Sequence, residues 1–238
     1  MKKLLITSVA LIAVLTLNVQ AYTLVVNSTA NIFGAGHSTP PAPGGGSAGT
    51  LPPSFTFSPG PYQVLTFSSV SGNVRLTPEA KPNPDGYFLI ASTNISSLGG
   101  ISGIRHDLAG FLVGVFLSPT ETVNPAPPIL DFRSSALGTS FGILSPGIGQ
   151  TFFIGDGLTG TGSGSVQQFM VPATATRLFL GLADAYDYTG APGQYQDNSG
   201  SFSATFDMVP EPMSFILFIT GGAALVGRQS LRRKKIEA

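Results

Sequence analysis

Residues 182–206 read LADAYDYTGAPGQYQDNSGSFSATF. The stretch carries three carboxylates, Asp184, Asp187 and Asp197, and the amide Asn198, with no Lys or Arg between Arg177 and Arg228. Gly190, Pro192 and Gly193 let the chain double back, which can bring Asp184 beside Asp197 and Asn198. Carboxylate, amide and backbone carbonyl oxygens that converge on one point suit a hard cation. Calcium takes about six to eight oxygens at roughly 2.3–2.6 Å and tolerates irregular geometry, whereas magnesium wants a tighter octahedron. Asp, Asn, Gly and Ser are also ordinary turn residues. On residue types alone a solvated turn therefore stands beside the cation site.

Such a loop needs a frame, and the rest of the chain supplies one. Glycine and proline are abundant, charge-patterned amphipathic helices are absent, and short apolar or alternating runs lie between turn clusters. Strands are expected at 22–26, 54–57, 63–67, 87–91, 111–117, 151–154, 166–171, 177–182 and 201–206. Many short strands separated by turn signals point to an all-β sandwich or barrel. The segment GAGHSTPPAPGGGSAGT, 34–50, reads as a flexible loop that cannot pack a core. SPTETVNPAPP, 118–128, reads as a second proline-rich loop. GDGLTGTGSG, 155–164, lacks the Lys-Ser/Thr ending of a phosphate loop and reads as a hairpin or loop.

The two ends are addresses. Met1-Lys2-Lys3, an apolar run from Leu4 to Leu17 and Val19-Gln20-Ala21 form a secretory signal peptide, residues 1–21, with signal peptidase cutting after Ala21. The far end, 209–238, holds Pro210-Glu211-Pro212, an apolar helix at about 213–227 and a basic tail from Arg228 to Lys235. The helix is short for a membrane span, and its basic flank stays cytoplasmic. In this order, at the C-terminus, these parts resemble the PEP-CTERM sorting signal. The resemblance implies processing by an exosortase-type enzyme. It also implies a precursor anchored in the inner membrane and delivery to the cell surface or extracellular matrix.

Without those ends the body, 22–208, is one domain's length and has 5 basic and 10 acidic residues, a net charge of −5. Nucleic acid is excluded by charge, since phosphate binding needs a basic footprint. The chain has no cysteine, so disulfides, thiolate zinc sites and cysteine nucleophiles are excluded as well.

The order of residues from Asp184 onward resembles the calcium-dependent galactophilic bacterial lectins. That family places an aspartate at a strand end, then Pro-Gly-x-Tyr-x-Asn-Asn-Ser-Gly-Ser-Phe-Ser. Here Pro192, Gly193, Tyr195, Asn198, Ser199, Gly200, Ser201, Phe202 and Ser203 match, and Asp197 replaces the first asparagine. The match is strongest over 175–206. It implies a jelly-roll sandwich of the galactose-binding-like kind. Calcium would be held by Asp184, Asp197 and Asn198, by the backbone carbonyl of Gln194 and, in VLTFSSVSGNVRL, by that of Leu76. Tyr186 and Tyr195 are the candidates for contact with a sugar. The insert around 186–191 is longer than the family's loop. The family's sugar-touching histidine and glutamine have no convincing counterpart, and His106 aligns only in the right third of the chain.

No enzyme is expected. A serine with His106 and Asp107 could be drawn on paper, but there is no G-x-S-x-G elbow. The body's glutamates are Glu79 and Glu121 alone, so a paired-carboxylate glycosidase finds little support. The expected role is a calcium-dependent, lectin-like carbohydrate-binding module in extracellular polysaccharide. The alternative is a structural or adhesive matrix protein without specific sugar binding.

Overall fold

The computed structural model describes residues 20–60, 63–76, 83–87, 92–120 and 125–210. The signal peptide up to Val19, Glu211, Pro212, the apolar segment 213–227 and the basic tail lie outside them. Among the described residues no helix is long and apolar enough to cross a membrane. The fold is all-β. Its strands are β1 (Ala21–Asn27), β2 (Ser54–Thr56), β3 (Gln63–Arg75), β4 (Thr93–Ile95) and β5 (Ile104–His106). There follow β6 (Val113–Leu117), β7 (Leu130–Asp131), β8 (Ile143–Leu144), β9 (Phe152–Phe153) and β10 (Leu158–Gly160). The last are β11 (Ser163–Val166), β12 (Gln168–Val171), β13 (Arg177–Gly181), β14 (Thr189–Gly190) and β15 (Ser199–Pro210).

One sheet has the order β1-β15-β3-β12-β8, a second β2-β13-β6-β9 and a third β14-β4-β5-β7, while β10 and β11 form a hairpin. The first sheet is built around the long antiparallel pair β3/β15, which runs from Arg75 opposite Ser199 to Gln63 opposite Pro210. Alternation explains it. In SFSATF the apolar Phe202, Ala204 and Phe206 turn inward and are fully buried, while the residues between them stay partly exposed. The first two sheets meet through aromatic rings. Phe55 of β2 lies edge-on to Phe206 of β15 at 5.4 Å, and Phe152 of β9 lies 5.2 Å from Phe169 of β12. Edge and tilted ring pairs of this kind add to the burial of apolar area.

Several expected strands differ in extent. The run at 63–67 continues to Arg75. The run at 166–171 is divided at Gln167, whose buried side chain donates to Thr139 O and Phe141 O and splits β11 from β12. Tyr87 makes a lone bridge to Ala109, and 88–91 lies outside the described residues. The segment 155–164 leads into the β10/β11 hairpin.

The segment 34–50 departs most from expectation. It has few apolar side chains to bury, yet it is docked by its backbone. Gly44 N–H donates to Pro192 O at 2.8 Å, Gln194 N–H to Gly45 O at 3.1 Å, and Tyr195 N–H to Ser47 O at 3.1 Å. Composition excludes a side-chain core. It does not exclude a ladder of peptide hydrogen bonds.

Candidate functional site

The acidic loop leaves β13 through Leu182 and Ala183 and returns into β15 at Ser199. Its two limbs are joined at the base. Gly193 N–H donates to Asp184 O at 3.0 Å, and Ala185 bridges Pro192 in antiparallel sense. That closure is the doubling back that Gly190, Pro192 and Gly193 foreshadow. A side chain at Gly193 would run into Gly45 O, so glycine is required by close approach.

The closed loop walls a cavity of about 210 Å³ lined by Leu76, Asp184, Ala185, Tyr186, Asp187, Tyr188, Gln194 and Asp197. Four of the five expected ligand positions, Asp184, Asp197, Gln194 and Leu76, therefore face one space. Leu76 comes from the end of β3 because β3 pairs with β15 in a register that puts Arg75 opposite Ser199, next to Asn198. The fifth, Asn198, lies behind Asp184. Its Nδ2 donates to Asp184 Oδ2 at 2.8 Å and to Ser28 O at 3.2 Å. The Asn198 Oδ1 is buried and has no hydrogen-bond partner among the described residues. Turning this amide about its last bond would put Oδ1 beside the carboxylate oxygen but would give up both of these Nδ2 hydrogen bonds, so only a bound cation could hold it that way. Two oxygens bound to one calcium at roughly 2.3–2.6 Å stand at about that separation.

The electrostatics agree with the crowding. Burial pushes the Asp184 carboxyl up to about 7, against the hydrogen bonds from Asn198 and Ala185 and with help from the Asp197 charge. The Tyr188 hydroxyl is held well above its ordinary range, by burial first and then by the charges of Asp184, Asp197 and Asp187. None of the eight lining residues is basic. Among the described residues no three His, Cys, Asp or Glu side chains close around one point as a metal cluster would. The expected set has two carboxylates, one amide and two backbone carbonyls, and does not need a third acid.

The backbone around the cavity is strained. Among the described residues three non-glycine residues have positive φ, Asp187 at 47°, Tyr188 at 55° and Gln194 at 72°, and all three line this cavity. Left-handed backbone at non-glycine residues costs of order 1–3 kcal/mol each and gathers at functional sites.

The two tyrosines part company. Tyr186 is exposed on the rim, where a ligand could meet its ring. Tyr195 is fully buried and has no face to offer a sugar, which corrects the expectation for it. Its hydroxyl accepts from Asp184 N–H at 3.1 Å and donates to Leu182 O at 3.0 Å or Asn31 Oδ1 at 3.1 Å. Asn31 is thus a residue of the site that the sequence reading missed. Its only local signal is that it precedes the short 3₁₀ turn Ile32–Gly34, which it caps by accepting from Phe33 N–H.

His106 is elsewhere. It lines a separate cavity of about 500 Å³ with Asp107, Phe132, Ser134, Leu137 and Thr139, among others, and that cavity shares no lining residue with the first. Its Nδ1 accepts from Leu108 N–H at 2.8 Å, while Asp107 accepts from Ser134 N–H at 2.7 Å. The ring is therefore not oriented by Asp107, as a nucleophile's base would be. Pro210 ends β15 opposite Gln63, and Ala21 begins β1 opposite Asp207.

Compared with known proteins, the chain matches no family model, no curated sequence and no solved structure.

Proposed function

We propose that this is an exported surface or matrix protein whose sandwich, of the jelly-roll, galactose-binding-like kind, binds carbohydrate through calcium at the Asp184 cavity. The observation that carries the reading is convergence. Leu76 and residues 184–197, picked out from distant parts of the chain, line one acidic cavity whose wall holds every left-handed non-glycine residue among those described. A space of about 210 Å³ is below the roughly 300–1,000 Å³ of drug-sized sites. It suits an ion with one edge of a sugar, with Tyr186 on the rim.

The topology supports the sorting half of the proposal. β15 spans 12 residues, about 40 Å at roughly 3.3 Å per residue, from the acidic loop to Pro210. Both ends of the body, Ala21 and Pro210, lie at the end of the sheet remote from the cavity. A tether beyond Pro210 would hold the cavity away from the membrane, toward polysaccharide.

One observation favours the structural alternative, in which calcium only stiffens the loop. With Tyr195 buried, Tyr186 is the single expected sugar contact left on the rim. A glycan array probed with the full chain, in calcium and in chelator, decides between them. Glycan binding that disappears with chelator is the expected result. A calcium-dependent melting temperature with no glycan bound would replace the lectin by the structural protein. In the same chain, alanine at Pro210, Glu211 and Pro212 should leave an unprocessed membrane precursor, and maturation like the wild type would overturn the sorting half.

A further inference from the structure

The acidic loop is held by two devices outside itself. The first is the docked segment 40–50. Its hydrogen bonds grip both sides of Gln194, through Gln194 N–H to Gly45 O, Tyr195 N–H to Ser47 O and Gly44 N–H to Pro192 O. The Gln194 Nε2 adds a bond to Gly44 O at 3.3 Å, and Ser47 N–H donates to the Gln196 carboxamide at 2.6 Å. The contact is so close that a Cβ at Gly44 would meet Ala191 O, and one at Gly193 would meet Gly45 O.

The second device is a buried relay. Asn31 is fully buried, and its Nδ2 donates to Pro41 O at 2.8 Å and to Ala48 O at 2.9 Å. These bonds close the docked segment into an arch over the Asn31 side chain. The Oδ1 of Asn31 faces the Tyr195 hydroxyl, which in turn takes the N–H of Asp184. The Asp184 carboxylate then meets Asn198, and Asn198 meets Ser28 O. With the Tyr195 hydroxyl donating to Asn31, hydrogen bonds thus run from Pro41 and Ala48 to the backbone N–H of Asp184, one residue's own bonds away from its carboxylate.

We propose that Asn31, Tyr195 and the glycine arch 40–50 are the positioning apparatus of the Asp184 cavity. The arch holds Gln194 in its left-handed conformation, so that its peptide stays on the cavity wall, and the relay fixes the backbone from which Asp184 projects. A strained conformation persists only where its surroundings over-determine it, and the bonds on either side of Gln194 do that. Ligands placed beforehand do not have to be ordered when an ion binds, so affinity gains what ordering would have cost. The glycines serve backbone-to-backbone contact, and the polar side chains carry the register.

This inference rests on the calcium reading for its affinity arm alone. The test uses the full chain with Gly44→Ala, Asn31→Asp and Tyr195→Phe, the last removing the hydroxyl and keeping the ring. Amide hydrogen exchange is followed over 184–198 and over the β3/β15 pair, and calcium chloride is titrated by calorimetry. Exchange over 184–198 should rise about tenfold or more in Gly44→Ala and Asn31→Asp, and less in Tyr195→Phe, while β3/β15 protection holds. Calcium affinity should weaken in the same order. Unchanged exchange over 184–198 would overturn the proposal. So would an equal loss over both regions in Tyr195→Phe, which would make the network a general structural element. If the wild type binds no calcium but the exchange pattern appears, the calcium reading falls and the positioning role stands.

Discussion

The Asp184 cavity and the His106 cavity each bury a titratable side chain, and they do so by opposite means. Asp184 sits among polar partners, Asn198, Ala185 N–H and Tyr195, on a loop whose backbone is forced left-handed at three places. His106 sits in an aromatic slot, 5.1 Å from Phe153 in a stacked arrangement and 4.5 Å from Phe111. Its Nδ1 accepts from Leu108 N–H, so the ring is neutral with its proton on Nε2, and Nε2 has no partner among the described residues. Apolar packing tolerates one orphaned donor because the rings around it are stable anyway. The acidic loop has apolar anchors in Ala183, Ala185 and Tyr195, but its tip at Tyr186 and Asp187 is exposed, and there its conformation depends on hydrogen bonds and, on the reading proposed here, on an ion.

The sharpest way to break this comparison is pH. Burial raises the Asp184 carboxyl to about 7 and lowers the His106 imidazole to about 4. In chelator, the folded state keeps a proton on Asp184 that the unfolded chain gives up near pH 4. Stability is therefore lost from this site as pH rises from about 4 to 7, by up to about 4 kcal/mol at roughly 1.4 kcal/mol per pH unit. His106 runs the other way. The unfolded chain takes a proton there below about 6.5 and the folded state does not, so its contribution is complete above 6.5 and is lost as pH falls toward 4, by up to about 3 kcal/mol. The two slopes oppose each other in the wild type. Denaturant unfolding across pH 4–7.5 should show stability rising with pH in Asp184→Asn and falling with pH in His106→Gln. The same slope in both variants would mean that the two environments do not differ as described.

Calcium gives the next largest separation. A ligand bound only by the folded form at a hundredfold excess over its dissociation constant stabilises by about 2.7 kcal/mol. Asp184→Ala should lose most of that gain, His106→Gln should keep it, and Asp187→Ala should lose little, because Asp187 lies in the insert. The check is the melting temperature of the full chain and its variants in millimolar calcium and in chelator. No calcium shift in the wild type would remove the metal site. A larger loss in Asp187→Ala than in Asp184→Ala would keep the metal and move its ligands.

How far the two regions could be read beforehand differs for physical reasons. The strands β1, β13 and β15 are legible because each is long enough to show alternation or a run of strand formers. The frame of the His106 cavity is not, since β4, β5, β7 and β8 have two or three residues each, too few to show a period. At the acidic loop, the carboxylate and amide side chains and the turn at Gly190, Pro192 and Gly193 are local and could be read. Burial of Tyr195 could not. It depends on Asn31 and Leu182 O, which the fold alone brings to its hydroxyl. The docking of 34–50 was hidden for the same reason, as backbone hydrogen bonds leave no pattern in side-chain types.

The smallest expected effect concerns strain itself. Asp187 has φ 47° and ψ 32°, lies on the rim and is exposed. Aspartate enters this left-handed region more readily than most residues, yet glycine does so without steric cost. Asp187→Gly therefore relieves backbone strain and removes a charge that lines the same cavity as Asp197, two gains for the metal-free form. A more flexible unfolded chain offsets part of them. The net expectation is a stability gain of a few tenths to about 1 kcal/mol in chelator, read by denaturant unfolding. In calcium the gain should shrink, because an ion already screens the Asp187 charge from Asp184 and Asp197. A gain that is equal in calcium and chelator would assign the whole effect to backbone strain. A loss of stability in chelator would show that Asp187 holds the loop, and would set it beside Asn31 and Tyr195 among the residues that position the site.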